Sequence, residues 1–107
     1  MRMTTNRMTY IASVEIEPLP GSKMKGRSLG ALVYCFIPAS SKVVAKRRLH
    51  TVLEEDKYRL IRIELLENYE HFRWEKPDDQ AEYDRLAKRA ALTDDVIYGP
   101  FFTWKAR

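Results

Sequence analysis

The amino-acid sequence predicts a single domain of the α+β class. Its 107 residues are enough for one domain, and hydrophobic and charged residues occur in globular proportions, at 45% and 32%. Segments with the two-residue period of strands alternate with two segments that have helical periodicity. We therefore expect a mostly antiparallel sheet of four to five strands, in a two-layer sandwich with both helices on one face.

The sequence favours a location in the cytoplasm. No apolar run reaches the roughly 20 residues of a membrane-spanning helix, and no apolar signal segment follows Arg2 and Arg7. The single cysteine, Cys35, has no partner for an internal disulfide and lies in an apolar segment, which is typical of a buried, unreactive thiol. Residues 1–8 contain three methionines, each a candidate start, and we interpret them as a flexible leader before a domain at residues 9–107.

Two strands are predicted before the first helix. Residues 9–17 alternate between the two sides of a half-buried strand, which Pro18 and Pro20 end because proline lacks the N–H that a strand ladder needs. Residues 31–37 are apolar throughout, and Pro38 ends them. A segment that is apolar on both faces predicts a central strand, covered by helices on at least one side.

The segment between these strands, residues 18–30, is predicted to be a flexible basic loop. It holds three glycines and two prolines together with Lys23, Lys25 and Arg27. Residues 21–27 have a superficial likeness to a phosphate-binding loop. An apolar strand follows them, however, where such a loop would lead into a helix, so the sequence supports a nucleotide site only weakly.

The first predicted helix begins after a serine, Ser40 or Ser41, whose hydroxyl can accept a hydrogen bond from the first turn. It should end near Asp56. Its apolar residues are spaced by three and four, which places them on one stripe. That stripe consists of Ala45, Leu49, Val52 and Leu53.

The second predicted helix begins at Pro77 and runs to about Leu92. Proline is favoured in the first turn, where the acids Asp78 and Asp79 also complement the positive end of the helix dipole. Its inward-facing residues are Tyr83, Leu86, Ala87 and Ala90.

The remaining β-rich segments are residues 58–74 and 96–104. The first is too long for one strand, so we expect a bend or a hairpin near Glu67 and Asn68, with a further strand at 69–74 in the second case. In the second segment Gly99 and Pro100 predict a bulge or an edge strand.

The hairpin interpretation gives the order βαββαβ from residue 32 onward. This order resembles the ferredoxin-like fold, with residues 9–17 as an extra N-terminal strand hairpinned to the next one. The resemblance is one of topology alone, without a family motif at any residue. Because that fold serves many unrelated functions, it implies little about chemistry.

Charge is distributed unevenly along the chain. The first 50 residues hold nine Lys or Arg and two Glu, whereas the remainder holds ten basic and thirteen acidic residues. Such a chain can steer an anionic partner to its basic half, or pair with a second copy of itself. On the first predicted helix, Lys42 and His50 lie off the apolar stripe and should face the solvent. The candidate contacts to an anion or a nucleic acid are Lys23, Lys25, Arg27, Lys46, Arg47 and Arg48.

No motif in the sequence points to catalysis, a metal or a cofactor. His50 and His71 have no second histidine or cysteine at the spacing of metal ligands, and we interpret both as surface histidines. Four acidic residues are clustered between residues 64 and 75. We favour the interpretation that they form a solvated face and balance the charges of nearby arginines. They are Glu64, Glu67, Glu70 and Glu75.

The aromatic residues favour association. Four of them lie near strand ends, more than two helices can easily cover, and aromatics are enriched in interfaces. They are Trp74, Phe101, Phe102 and Trp104. We therefore expect a non-enzymatic binding or regulatory protein, of the kind found among small charged bacterial proteins, that forms a homodimer and engages a protein partner. Two alternatives are a nucleic-acid-binding domain that uses the basic first half, and a small dimeric enzyme with His50 or His71 in a cleft.

Overall fold

The computed structural model describes residues 7–104 as an α+β domain with one four-stranded antiparallel sheet and two helices. Of the predicted leader, residues 1–6 lie outside the described residues, and Met8 is already the first residue of a strand. The elements in chain order are β1 (Met8–Pro18), β2 (Gly30–Ala39), α1 (Lys42–Glu55), β3 (Tyr58–Asn68), a 3₁₀ turn (Tyr69–His71), α2 (Pro77–Thr93) and β4 (Ile97–Trp104). No helix of this part of the chain has the length and hydropathy needed to cross a membrane.

The strands lie in the order β3-β1-β2-β4, so that the two predicted first strands form the centre of the sheet. They pair antiparallel without a register shift from Met8 opposite Ala39 to Ile16 opposite Ala31, which confirms the predicted hairpin. The residues that join them, 19–29, form a series of turns.

The two helices lie on opposite faces of the sheet. Ala12 and Val14 belong to the core cluster that contains the buried residues of α1, whereas Ile11 and Phe36 belong to the cluster that contains those of α2. The predicted two-layer sandwich with both helices on one face is therefore wrong, and the sheet is the middle of three layers. The physical reason is that both central strands carry apolar side chains on both faces, and each face needs a cover.

Helix α1 follows the sequence prediction closely. Ser41 is the N-cap, and its hydroxyl accepts the N–H of Val44 at 3.2 Å. The helix ends at Glu55 with Asp56 as its C-cap. Ala45, Leu49 and Leu53 are buried on the sheet, and Val52 is partly buried beside them.

Helix α2 begins at Pro77 and also presents the predicted side chains to the sheet. Tyr83, Ala87 and Ala90 are buried, and Leu86 packs against their cluster. Asp94 ends the helix in the left-handed conformation, with φ of 60°, and donates its N–H to the carbonyl of Ala90 at 2.8 Å.

The predicted strand at residues 69–74 is not formed. Asn68 accepts the N–H of Glu70 through its side chain at 2.9 Å and starts the 3₁₀ turn instead. The Tyr69 hydroxyl then donates to Asp84 of α2 at 2.8 Å, and Trp74 Nε1 donates to that hydroxyl at 3.1 Å. These aromatic residues pack against α2 and form no strand. The ferredoxin-like order is therefore not confirmed, and neither is an extra strand added to it.

Both edges of the sheet are interrupted by bulges. On β4, Tyr98 is opposite Cys35 and Phe101 is opposite Val33, so that Gly99 and Pro100 together face one residue of β2. The predicted bulge and the predicted edge position are both confirmed there. On β3, two register shifts against β1 leave Ile61 and Glu64 without a partner. Bulges of this kind disfavour the addition of further strands at an edge.

Candidate binding surfaces

Helix α2 covers only part of its face of the sheet. The buried residues of α2 meet Ile11 and Phe36, while toward the Gly30 end of β2 the same face remains open. There Leu32 is opposite Phe102 in the β2–β4 register, and Gly30 is opposite Trp104. Side chains that alternate with the α1-facing ones line this open part of the sheet. We call it the open sheet face, formed by Leu32, Phe102, Trp104, Glu15, Glu17, Arg59 and Arg62.

The apolar half of the open sheet face lies on β2 and β4. The side chains of Phe102 and Trp104 are 50% and 41% exposed, which is high for large aromatic residues side by side on one face. A Cβ atom on Gly30 would lie only 2.5 Å from the indole of Trp104, so the indole rests directly on the backbone of β2. This contact requires glycine at residue 30.

The charged half of the open sheet face lies on β1 and β3. The Arg62 guanidinium donates to Glu15 at 2.6 Å, and Arg59 Nε lies 3.3 Å from a carboxylate oxygen of Glu17. Both pairs are at least partly exposed. The open sheet face therefore carries both signs of charge next to its apolar half.

Of the four aromatic residues predicted to form an interface, the structure brings Phe102 and Trp104 together. Trp74 lies in the cluster under α2, stacked on Tyr83 at 4.3 Å between ring centroids. Phe101 lies on the opposite face of the sheet, 5.9 Å from the ring of Tyr58. Leu32 and the two ion pairs could not be predicted from the sequence, because the part of the sheet that α2 leaves open depends on where the helix crosses it.

A second concave surface lies under the loop that joins β1 to β2, on the α1 face of the sheet. It has a volume of about 750 Å³ and we call it the loop cleft. Its lining residues are Lys23, Met24, Gly26, Arg27, Ser28, Tyr58, Phe101 and Thr103. A smaller chamber of about 410 Å³ adjoins it, since Lys23, Tyr58 and Phe101 line both.

The predicted basic contact residues fall into separate groups. Lys23 and Arg27 line the loop cleft, and Lys25 is exposed on the same loop without lining it. Arg47 and Arg48 line a different cavity, of about 460 Å³, between α1 and residues 95–97. Lys46 is exposed on α1. The structure therefore divides four of the six cations between two separate concave sites, with two in each, and leaves Lys25 and Lys46 outside both.

Arg48 is held by the fold. Its guanidinium donates to the carbonyl of Pro38 at 2.6 Å and to the carbonyl of Asp94 at 2.9 Å, and it also lies 3.5 Å from the Asp94 carboxylate. Arg7 forms a further ion pair with that carboxylate. These contacts join α1 to the end of β2 and to the segment after α2, so Arg48 is engaged within the chain.

The two histidines are exposed. His50 shares a cavity with Glu54, and His71 shares another with Glu64 and Glu67. Within residues 7–104 no hydrogen bond joins either imidazole to a carboxylate, which is the contact that orients a histidine as a base. The same residues contain no group of three or more His, Cys, Asp or Glu arranged to hold a metal ion.

Burial shifts the pKa of several groups in the core. The Cys35 thiol is fully buried, as predicted, and this burial raises its pKa to about 12. Burial also raises the pKa of Tyr98, and the hydrogen bond that its hydroxyl donates to Asp56 at 2.7 Å raises it further. This bond lies at the smaller chamber beside the loop cleft.

Comparison of the chain with known protein families, with curated proteins and with solved structures finds no match. A functional interpretation therefore rests on the two surfaces themselves.

Proposed function

We propose that the protein is a non-enzymatic binding protein that self-associates through the open sheet face. The observation that carries this proposal is the exposure of Phe102 and Trp104 beside each other on the part of the sheet that α2 leaves open. Adjacent exposed aromatics are typical of interfaces. The proposal places the protein in the cytoplasm, where reducing conditions keep the Cys35 thiol free.

The charge pattern of this face favours a second copy of the chain as the partner. In a two-fold symmetric dimer the same patch is used twice, so each charge must meet its opposite on the other subunit. The rows Glu15–Glu17 and Arg59–Arg62 supply both signs on one patch and can satisfy this requirement.

The edges of the sheet favour contact between faces over pairing between strands. Pro100 has no N–H to offer another strand, and it lies in the bulge of β4. The β3 edge contains the two unpaired residues Ile61 and Glu64. Association by strand addition would meet these interruptions, whereas contact through the open sheet face would not.

Sedimentation velocity of the intact chain over a range of micromolar concentrations tests the proposal. We expect the unaltered protein to form a dimer, and the double variant Phe102→Ser with Trp104→Ser to sediment as a folded monomer, because the apolar centre of the interface is removed. The matched control is Val43→Ser with Leu92→Ser. These side chains are 69% and 80% exposed, lie on the two helices and should leave the dimer unchanged.

Two results would contradict self-association through this face. One is an unaltered protein that remains a monomer at every concentration. The other is a dimer that persists in the Phe102 and Trp104 double variant while circular dichroism shows that its fold is intact.

A further inference from the structure

The loop cleft lies on the α1 face of the sheet, so the proposed dimer leaves it unoccupied. Aromatic side chains form its inner part. The ring of Phe101 lies 5.9 Å from that of Tyr58 and 5.5 Å from that of Tyr98, and Met24 adds a further apolar side chain from the loop above. Tyr58 is buried and Tyr98 lines the smaller chamber, whereas Phe101 lines the larger chamber and keeps an accessible surface, so the Phe101 ring is the one available to a ligand there. A planar apolar ring suits such a surface.

The charges of the loop cleft are arranged in two zones. In the larger chamber the charged lining residues are Lys23 and Arg27, both cationic. Of the two chambers, the carboxylates Glu55 and Asp56 line the smaller one, where Asp56 already accepts the hydrogen bond of Tyr98. An anionic group is therefore attracted to the loop side of the larger chamber, and arginine and lysine together are typical of phosphate sites.

Gly26 lines the loop cleft beside open space. This residue has a φ of 88°, and a Cβ built on it would have no atom within 4 Å. The turn at Gly26 brings Lys23 and Arg27 to the same cleft and places no side chain between them and the solvent at this residue. With a volume of about 750 Å³, the cleft falls in the range of small-molecule sites.

We infer that the loop cleft binds a nucleoside phosphate, with the base against Phe101 and the phosphate at Lys23 and Arg27. The aromatic zone suits the ring of such a ligand, the cationic zone suits its anionic group, and the volume of the cleft suits its size. The ligand can be a free nucleotide or one nucleotide of a single strand, because both offer the same base and phosphate.

Isothermal titration of the intact chain with adenosine monophosphate tests the inference. Adenosine, which lacks the phosphate, and ribose 5-phosphate, which lacks the base, are the comparison ligands. We expect adenosine monophosphate to bind. Each comparison ligand should bind at least about tenfold more weakly, since each lacks the group that contacts one zone of the cleft. Equal affinity for ribose 5-phosphate, or no binding of adenosine monophosphate, would overturn the inference.

Variants of the loop identify the residues responsible. Lys23→Gln and Arg27→Gln should each weaken binding of adenosine monophosphate by about tenfold, because each removes a charge-assisted contact to phosphate. Lys25→Gln is the matched control, since it removes the same charge from the same loop at a residue that does not line the cleft. An equal effect of all three variants would mean that only the overall charge attracts the nucleotide, and would contradict the site.

A short oligothymidylate in place of the mononucleotide decides the source of the ligand. Tighter binding of the oligomer than of thymidine monophosphate, with the same loss in Arg27→Gln, would identify a single strand, and equal binding would identify a free nucleotide. The double variant Phe102→Ser with Trp104→Ser should bind as the unaltered chain does, so failure of the dimer and failure of the cleft can be told apart.

Discussion

Arg47 and Arg48 are neighbours in the chain whose side chains have different surroundings. Both line the same cavity, but Arg48 is half-buried and makes hydrogen bonds to two main-chain carbonyls in other elements, whereas Arg47 is exposed. Helical geometry separates adjacent residues by about 100°, so one of them reaches the edge of the sheet and the other the solvent. Neighbouring residues of the basic run therefore have different roles, one within the fold and one at the surface.

Replacing Arg48 by alanine should lower the free energy of unfolding by about 1–3 kcal/mol, since two carbonyls lose a charged donor. Arg47→Ala should change it by less than about 0.5 kcal/mol. Urea denaturation of both variants, followed by circular dichroism, measures the difference. Equal losses in the two variants would show that the contacts of Arg48 contribute no stability.

The two arginines could not be distinguished from the sequence, because a run of basic residues carries no information about distant acceptors. Pro38 and Asp94, which supply the carbonyls, lie 10 and 46 residues from Arg48. The buried thiol of Cys35 could be predicted, since an apolar strand segment surrounds it on both sides in the chain. The burial of Cys35 could thus be predicted because it depends on neighbouring residues in the chain. The role of Arg48 could not, because it depends on residues far away in the chain.

At the scale of secondary structure, the start of α1 distinguishes two adjacent serines. The sequence permits Ser40 or Ser41 as the cap, and in the structure the Ser41 hydroxyl accepts the N–H of Val44. Ser41→Ala should lower the free energy of unfolding by about 1 kcal/mol, because that N–H loses its acceptor. Ser40→Ala is the control and should leave stability nearly unchanged. Thermal unfolding of the two variants measures the effect; a larger loss in Ser40→Ala would assign the cap to the other residue.

Most elements could be predicted because their signals are local. Caps, prolines and apolar periodicity place both helices and the strands β1, β2 and β4 within a few residues of their observed bounds. Residues 69–74 could not be predicted, since their aromatics mimic a strand but bind α2. The placement of the two helices on opposite faces of the sheet was not predicted either. The apolar residues on both sides of β2 nevertheless indicate that each face of the sheet needs a cover.

At the scale of the whole molecule, the buried thiol and the tyrosines should make the free energy of unfolding decrease at alkaline pH. The pKa of Cys35 rises from its ordinary 9.0 to about 12, and burial raises the pKa of Tyr58, Tyr69, Tyr83 and Tyr98 as well. Above the lower value the unfolded chain releases a proton that the folded chain retains. The contribution of the neutral thiol is therefore fully present below pH 9.0 and is lost as pH rises toward 12.

Denaturation by urea at pH 8 and pH 10.5 should show this loss, of about 2 kcal/mol for the thiol alone. The tyrosines change stability in the same direction. In Cys35→Ala the decrease between the two pH values should be smaller, because the tyrosines remain and the thiol does not. The comparison is between pH values within each variant, so the cavity left by the missing sulfur cancels. An equal decrease in both proteins would contradict the assignment to Cys35.

The order of strands in the sheet has a consequence for how the protein assembles during synthesis. Residues 8–68 contain β1, β2, α1 and β3, so three adjacent strands and the cover of one face leave the ribosome before α2 and β4 do. During that interval the other face of the nascent sheet, including Ile11 and Phe36, lacks its helix, and β2 has a free edge. Translation of the last third of the chain thus sets how long this partly built sheet is open to unwanted pairing.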